Sequence, residues 1–262
     1  MRNFFPLLFA GIIFFVGCKK SDSGTEPKQD ATHCRLASID LFENGNQTYK
    51  VIYNYDSYGN ISAYYSIENT GDTIPGEEYK FENGILKYSL KKIPSHYLDT
   101  TFYNFDANGK LINIRSREYY ESTLNAYSTK QYVYNANGKV IYTVLRDTLT
   151  YGSNYYSYDS TLYEYTGNNV TKVTEYSNPG VSFQTLYYYD NQKNYLKTTH
   201  LPAISCQYWS ENNIIKIDFG NYSISYSDIT YNSAGFPLSF THTDTINHQP
   251  CIEKVELNYK CN

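Results

Sequence analysis

Along most of this chain the side chains alternate. Runs such as Tyr79-Lys80-Phe81 and Val255-Glu256-Leu257-Asn258-Tyr259 place an apolar residue at every second position, with Lys, Asn, Glu, Thr or Ser between. Residues at i and i+2 of a strand share a face, so the pattern predicts strands with one covered side and one wetter side. No apolar run after the first residues follows the 3.6-residue helical period. The reading is all-β: a large antiparallel up-and-down meander of about 18 strands, rolled into a barrel or half-barrel.

A unit recurs within the alternation: two aromatics at i and i+2, an Asp or Asn, a short turn, then an aliphatic strand. It reads Tyr53-Asn54-Tyr55-Asp56-Ser57-Tyr58-Gly59-Asn60-Ile61, Tyr103-Asn104-Phe105-Asp106-Ala107-Asn108-Gly109-Lys110-Leu111 and Tyr132-Val133-Tyr134-Asn135-Ala136-Asn137-Gly138-Lys139-Val140. Shorter copies begin at Tyr79, Tyr163, Tyr187, Tyr208 and Tyr231. The turn glycines at 59, 84, 109 and 138 lie 25, 25 and 29 residues apart, which is two strands and two turns per unit. Each aromatic pair covers one side of the sheet, and the Asp or Asn can bond the backbone just beyond its turn. Glycine supplies the positive φ that a tight turn needs.

These Tyr-x-Tyr-Asp-x-x-Gly-x-aliphatic units resemble the YD repeats of the RHS class, in which hairpins coil into a continuous sheet. The chain from Cys34 to Cys261 also resembles uncharacterised Bacteroidetes lipoproteins with a porin-like or half-barrel meander. That resemblance implies architecture and no activity. Composition refines the picture: 32 Tyr against 13 Phe and a single Trp suggests a broad core with a wet margin, because each buried hydroxyl needs a partner.

The first residues read as an export signal. Arg2 precedes an apolar run from Phe4 to Val16, too short for a comfortable membrane span. The run ends in Phe15-Val16-Gly17-Cys18, which resembles a bacterial lipobox with Phe15 where Leu is usual; the resemblance implies cleavage after Gly17 and lipidation of Cys18. A plain secretory signal is the alternative. The expected organisation is a signal peptide over 1–17, a lipidated Cys and flexible tether over 18–33, and a repeat β-domain over 34–262. The tether follows from composition, since Lys19 to His33 holds almost no aliphatic residue. Localisation follows too: the outer membrane, lipid-anchored, facing the periplasm or the cell surface.

Export puts the other cysteines where disulfides persist. With the Gly59, Gly84, Gly109, Gly138 and Gly235 turns at the top, strand parity puts Cys34 and Cys261 at the top, and Cys206 and Cys251 at the bottom. Parity therefore prefers Cys34–Cys261 and Cys206–Cys251, with free thiols as the alternative. A Cys34–Cys261 bridge brings the terminal strands together.

Candidate chemistry is sparse. His242-Thr243-Asp244 puts an imidazole and a carboxylate on one strand face, which reads better as a solvated face than as a metal site. Ser89-Leu90-Lys91-Lys92 matches S-x-x-K, but in a strand rather than at a helix start. No metal or cofactor is expected. The formal net charge of −4 offers no basic surplus for nucleic acid. Trp209 follows Tyr208 and so takes the opposite, wetter face, as a stacking surface for sugar rings; alternatively a loop such as Asn178-Pro179-Gly180 or Leu201-Pro202 covers it. The functional expectation is a lipid-anchored, non-enzymatic binding or scaffold module for glycan, peptide or an envelope protein. Its rival is a polysaccharide hydrolase with paired carboxylates in a sheet cleft.

Overall fold

One turn, copied along the chain, sets the scale of the structure. In the computed structural model, which describes residues 34–93, 97–149, 155–177, 180–194, 209–232, 235–245 and 251–261, the Asp56 carboxylate accepts the Tyr58 and Asn60 amides at 2.9 and 2.8 Å. Asp106 and Asn135 accept the corresponding amides of their own turns, and Asn232 accepts that of Phe236. Gly59, at φ +89°, donates to the Asp56 carbonyl at 3.1 Å. A Cβ there would be strained and would also meet the Arg35 guanidinium.

Sixteen strands result, each antiparallel to the next: β1 (Cys34–Glu43), β2 (Asn46–Tyr55), β3 (Ile61–Glu68), β4 (Thr73–Glu82), β5 (Ile85–Ile93), β6 (Tyr97–Phe105), β7 (Leu111–Tyr120), β8 (Thr123–Tyr134), β9 (Val140–Leu149), β10 (Tyr155–Thr166), β11 (Asn169–Ser177), β12 (Val181–Lys193), β13 (Asn212–Asp218), β14 (Ser223–Tyr231), β15 (Pro237–Asp244) and β16 (Cys251–Cys261). β16 pairs back onto β1, so the meander is a closed barrel with no free edge. The expected 18 strands become 16. Among the described residues β12 ends at the top and β13 starts there and runs down; the upward strand expected to open at Cys206 falls outside them.

Every hairpin closed at the top carries a bulge in the same place. Tyr55 pairs with Ile61 but Asn54 with Ala63, leaving Ser62 extra. Lys87, Ile112, Ile141, Thr171, Ile215 and Leu238 are left over in the same way, as is Ala37 where β1 meets β16. Such bulges sharpen the twist and bend the strand at a barrel rim.

Bending one pair of strands opens the gap to the next pair. The β9–β10 ladder stops at Tyr142 and Leu162, short of Val140 and Tyr165. There the Tyr165 hydroxyl donates to the Val140 carbonyl at 2.8 Å. Tyr55 does the same to Leu36, Tyr134 to Leu111, Tyr189 to Val170 and Tyr259 to Pro237. In each case the second aromatic of a repeat staples the carbonyl of the aliphatic that opens the neighbouring strand. The residue before that aliphatic lies over the same ring: Arg35, Lys110 and Lys139 as cations at 5.7, 5.4 and 5.2 Å, and Phe236 as a stacked ring. Phe81 and Phe105 hold this position on β4 and β6 without a hydroxyl. The excess of Tyr over Phe thus has a local cause: a hydroxyl replaces the ladder bond that the bend removes, worth about 1 kcal/mol each.

The core lies inside the barrel, mainly toward the top. One cluster joins Leu36, Ile39, Val51, Ile61, Ile217, Phe240 and Leu257; the other joins Leu86, Tyr103, Leu111, Tyr132, Tyr163 and Val170. Tyr79 and Tyr187 pack against both. First aromatics of the repeats therefore build the core, and second aromatics the staples.

Candidate functional site

Three parts of the barrel could carry chemistry: its outer wall, the rim around Trp209, and a chamber in the lower lumen. The outer wall carries ion pairs on many strands, with exposed Phe102, Tyr158, Leu162, Leu186 and Tyr188 among them on β6 to β12. Glu164 lies between inward Tyr163 and Tyr165 and pairs with Lys172 at 2.8 Å. Lys254 and Glu256 flank Val255 and pair at 2.7 Å, and Lys216 and Asp218 flank Ile217 and pair at 2.9 Å. Asp40, between Ile39 and Leu41, takes Lys50 at 3.1 Å together with the Gln47 and Asn258 amides. Lys80 and Lys92 reach Glu78 on the same side.

At the rim, Trp209 precedes β13 rather than lying within a strand, which corrects the placement expected from its neighbour Tyr208; Tyr208 itself falls outside the described residues. A polar network holds this segment across the top of β11. The Val170 amide donates to Ser210 Oγ at 3.1 Å, the Glu211 and Asn212 amides donate to Asn169, and Asn168 reaches Glu211. Those bonds seat the indole edge-on against Tyr163, with ring centres 4.7 Å apart, and near Tyr132 at 6.3 Å. Beside it is a cavity of about 310 Å³ walled by Trp209, Tyr134, Tyr165, Lys139, Val140 and Asn168. The indole is half-buried: part of it is core, and part lines an open pocket.

Below the core, inward positions turn polar. Counting back by twos from Tyr103 gives Thr101 and Asp99; from Tyr132 it gives Lys130, Ser128 and Ala126; from Tyr163, Thr161, Asp159 and Ser157. Asp99, Thr101, Ser116, Glu118, Ala126, Ser128, Asp147 and Ser157 line a cavity of about 410 Å³, which Arg117 and Tyr127, at outward positions of the register, also border. Asp99 stands directly opposite Glu118 in the β6–β7 register. Burial holds the Asp99 carboxyl above its ordinary range, and the Glu118 charge adds to the effect. Burial likewise raises Asp147, helped by Asp159 and opposed by a hydrogen bond from Ser157. Sequence reasoning named none of these carboxylates. The signal that finds them is the inward register, which needs a strand start to count from.

The structure is similar to crystal structures of porin-like proteins from Bacteroides uniformis ATCC 8492 and Bacteroides vulgatus ATCC 8482. Each has a TM-score of 0.52 and covers 86% of this chain, with 13% and 12% identity and 96% and 98% of the other chain matched. What they share is the fold. No protein-family model and no curated protein matches the chain.

The remaining sequence motifs separate. Ser89 faces inward, 1% exposed, and bonds Glu77 and Tyr103, whereas Lys92 faces outward to Glu78. The S-x-x-K spacing therefore puts its two groups on opposite sides of the sheet. His242 stacks on Tyr226 inside the barrel, with Nδ1 3.4 Å from Glu253. Among the described residues no three His, Cys, Asp or Glu gather as a metal site. Backbone register places Cys34 opposite Cys261 at the β1–β16 seam. Cys251 opens β16 at the bottom, and Cys206, its expected partner, lies outside the described residues. Cys18 and its flanking signal and tether also lie outside the described residues.

Proposed function

We propose that the protein is a lipid-tethered barrel of the cell envelope that stands in water and binds glycan, rather than a barrel that spans the membrane as a pore. The observation that carries this reading is the direction of its polarity. A spanning barrel turns an apolar band outward and a wet lumen inward. Here Leu36, Ile39, Val170 and their neighbours face inward, while paired Lys, Asp and Glu side chains stud the outside on strands from β1 to β16. A charged side chain at the lipid midplane costs about 2–4 kcal/mol, so a wall carrying this many is a wall in water. Attachment then falls to Cys18. The Trp209 pocket supplies the seat: aromatic walls, one ammonium group and an amide suit a sugar ring.

Radiolabelled palmitate should enter the wild type, and Cys18→Ser should move the protein to the soluble fraction without detergent. Label retained by Cys18→Ser, or a variant that dissolves only in detergent, overturns the reading. Trp209 is the sole indole, so its emission should shift when envelope glycan is added, and Trp209→Phe should weaken binding.

A second reading rests on the chamber. Asp99, its carboxyl raised by burial, stands directly opposite Glu118, and two carboxylates so placed are the arrangement of an acid and its partner. Against it, the inward side chains of the chamber are Ser, Thr, Ala and carboxylates, with no aromatic platform for a sugar. Polysaccharide hydrolysis abolished by Glu118→Gln would favour this reading; absence of turnover across envelope polysaccharides removes it.

A further inference from the structure

The polar outer wall has one sector built differently. Across β6 to β10 one row of cross-strand neighbours runs Phe102, Arg115, Thr129, Arg146, Tyr158. One row lower, Arg117 on β7 stands beside Tyr127 on β8. Exposed rings thus occupy β6, β8 and β10, and guanidinium groups occupy the strands between them. Phe102, Tyr127 and Tyr158 are 37%, 44% and 46% exposed. Arg117 lies 5.8 Å over the Phe102 ring, and Arg146 lies 5.7 Å over Tyr158. Elsewhere on the wall the cations meet carboxylates, but among the described residues none of these three arginines has one within ion-pair distance.

We propose that this ladder is a binding surface for an acidic polysaccharide carrying one uronate carboxylate per disaccharide. The proposal rests on the reading that the wall faces water. Three observations point to that ligand. Guanidinium groups with no carboxylate beside them, Arg146 donating only to the neutral Gln131 Oε1 at 2.9 Å, select an anion on a protein of net charge −4, and the planar fork matches a carboxylate in two parallel hydrogen bonds. Exposed rings beside them offer stacking faces for pyranose rings. The spacing is periodic: neighbouring strands lie about 4.8 Å apart, so ring-bearing strands recur at about 9.5 Å, the length of a disaccharide, with one cationic strand per repeat. A folded protein partner has no reason to match that period. Stacking of Arg117 and Arg146 on aromatic faces also restricts both side chains before the ligand arrives, which lowers the entropy lost on binding.

The test uses the full chain carrying Cys18→Ser and calorimetric titration with hyaluronan oligosaccharides, which have a glucuronate in every disaccharide. Controls are carboxyl-reduced hyaluronan and dextran sulfate. Hyaluronan should bind, carboxyl reduction should abolish the heat, and Arg115→Gln, Arg146→Gln and Tyr127→Ala should each weaken binding about tenfold. All three positions are exposed, so unchanged thermal melting checks that each variant is folded. Equal binding of dextran sulfate, with Tyr127→Ala silent, marks a general anion patch and overturns the proposal. So does binding that Trp209→Phe removes and the arginine variants leave intact, which would put the glycan at the rim. A protein soluble without detergent that ignores hyaluronan sinks this inference alone; a protein that needs detergent sinks the water-facing reading with it.

Discussion

The two ends of the barrel are built on different rules. At the top, hairpin after hairpin carries a bulge just after the residue that pairs with the second aromatic, and Tyr hydroxyls bridge the gaps between bulged pairs. At the bottom a bulge is the exception: Thr48 in β2 and Asn125 in β8 are extra at the third residue of their strands, while β5–β6, β9–β10, β11–β12 and β15–β16 run without a shift. On β6 to β10 the inward side chains follow the same divide, apolar above and Ser, Thr, Asp and Glu below, whereas Leu41, Ile217 and Ile224 carry the core to the bottom on the other side. A repeat specifies the top because rim, staple and core there all depend on the same two aromatics. The lower lumen is released from that constraint, and its side chains can vary with whatever occupies it.

The sharpest way to break the comparison is to delete volume at each end. Leu36 is 1% exposed and sits in the upper core, so Leu36→Ala should cost about 2–5 kcal/mol in denaturant unfolding. Ser128→Ala, inward in the chamber, should stay within about 0.5 kcal/mol. Equal losses at the two sites would mean that the lower lumen is as tightly packed as the upper one.

The seam gives the next effect. If Cys34 and Cys261 are bonded, the crosslink closes nearly the whole domain and contributes about 2–4 kcal/mol. Directly opposed antiparallel residues have Cα atoms about 4.5–5.5 Å apart, inside the disulfide range. Non-reducing peptide mapping should yield a linked Cys34–Cys261 pair, and reduction should lower Tm. Both peptides recovered as free thiols would leave the β1–β16 ladder as the sole closure.

The staples can be removed and also added. Tyr165→Phe strands the Val140 carbonyl and should cost about 1–2 kcal/mol. Phe105→Tyr places a hydroxyl where the equivalent carbonyl belongs to Leu86, and should regain part of that amount. A destabilised Phe105→Tyr would show that β5 and β6 meet at the rim with no room for the hydroxyl.

The same contrast explains what could be read from the sequence. Tyr53-Asn54-Tyr55-Asp56 and its copies announce strand, face, turn and period within nine residues, so the meander was legible; the sequence left barrel and half-barrel both open, and the β1–β16 pairing decides for the closed form. Bulges were not: Ser62 and Ile112 occupy the same bulge position with unrelated side chains, because a bulge is a property of the pairing. The place of Trp209 was misread because the residues after it, Ser210 and Glu211, are held across the rim by Val170, Asn194 and Asn169, far away in sequence. Gly76 shows the limit from another side. A Cβ there would meet the Tyr64 ring and carbonyl at 2.4 Å, a constraint with no local sequence signature.

The smallest effect concerns charge in the chamber. Asp99 Oδ1 is buried without a hydrogen-bond partner among the described residues, and burial and Glu118 hold its carboxyl above the ordinary range. Asp147 is raised chiefly by burial. For a carboxyl raised in the folded state, the folded form binds the proton more tightly than the unfolded chain does. The stability it contributes is therefore full below the ordinary carboxylate pKa, near 3.9, and is lost as pH rises through the folded value. Asp56 has the opposite sign. Its slight burial pushes the pKa up, but hydrogen bonds from Asn60, Tyr58 and Gly59 outweigh that and leave it lowered. Acid thus weakens the top turn while relieving the chamber. Asp99→Asn should raise Tm at pH 7 by about 1–2 °C, with the gain shrinking as pH falls, because the raised carboxyl takes up its proton before an ordinary one does. A gain that persists unchanged at pH 4 would place its cause in packing instead of charge. A loss at pH 7 would mean that Asp99 holds a partner in solution, and the chamber would then be an occupied site.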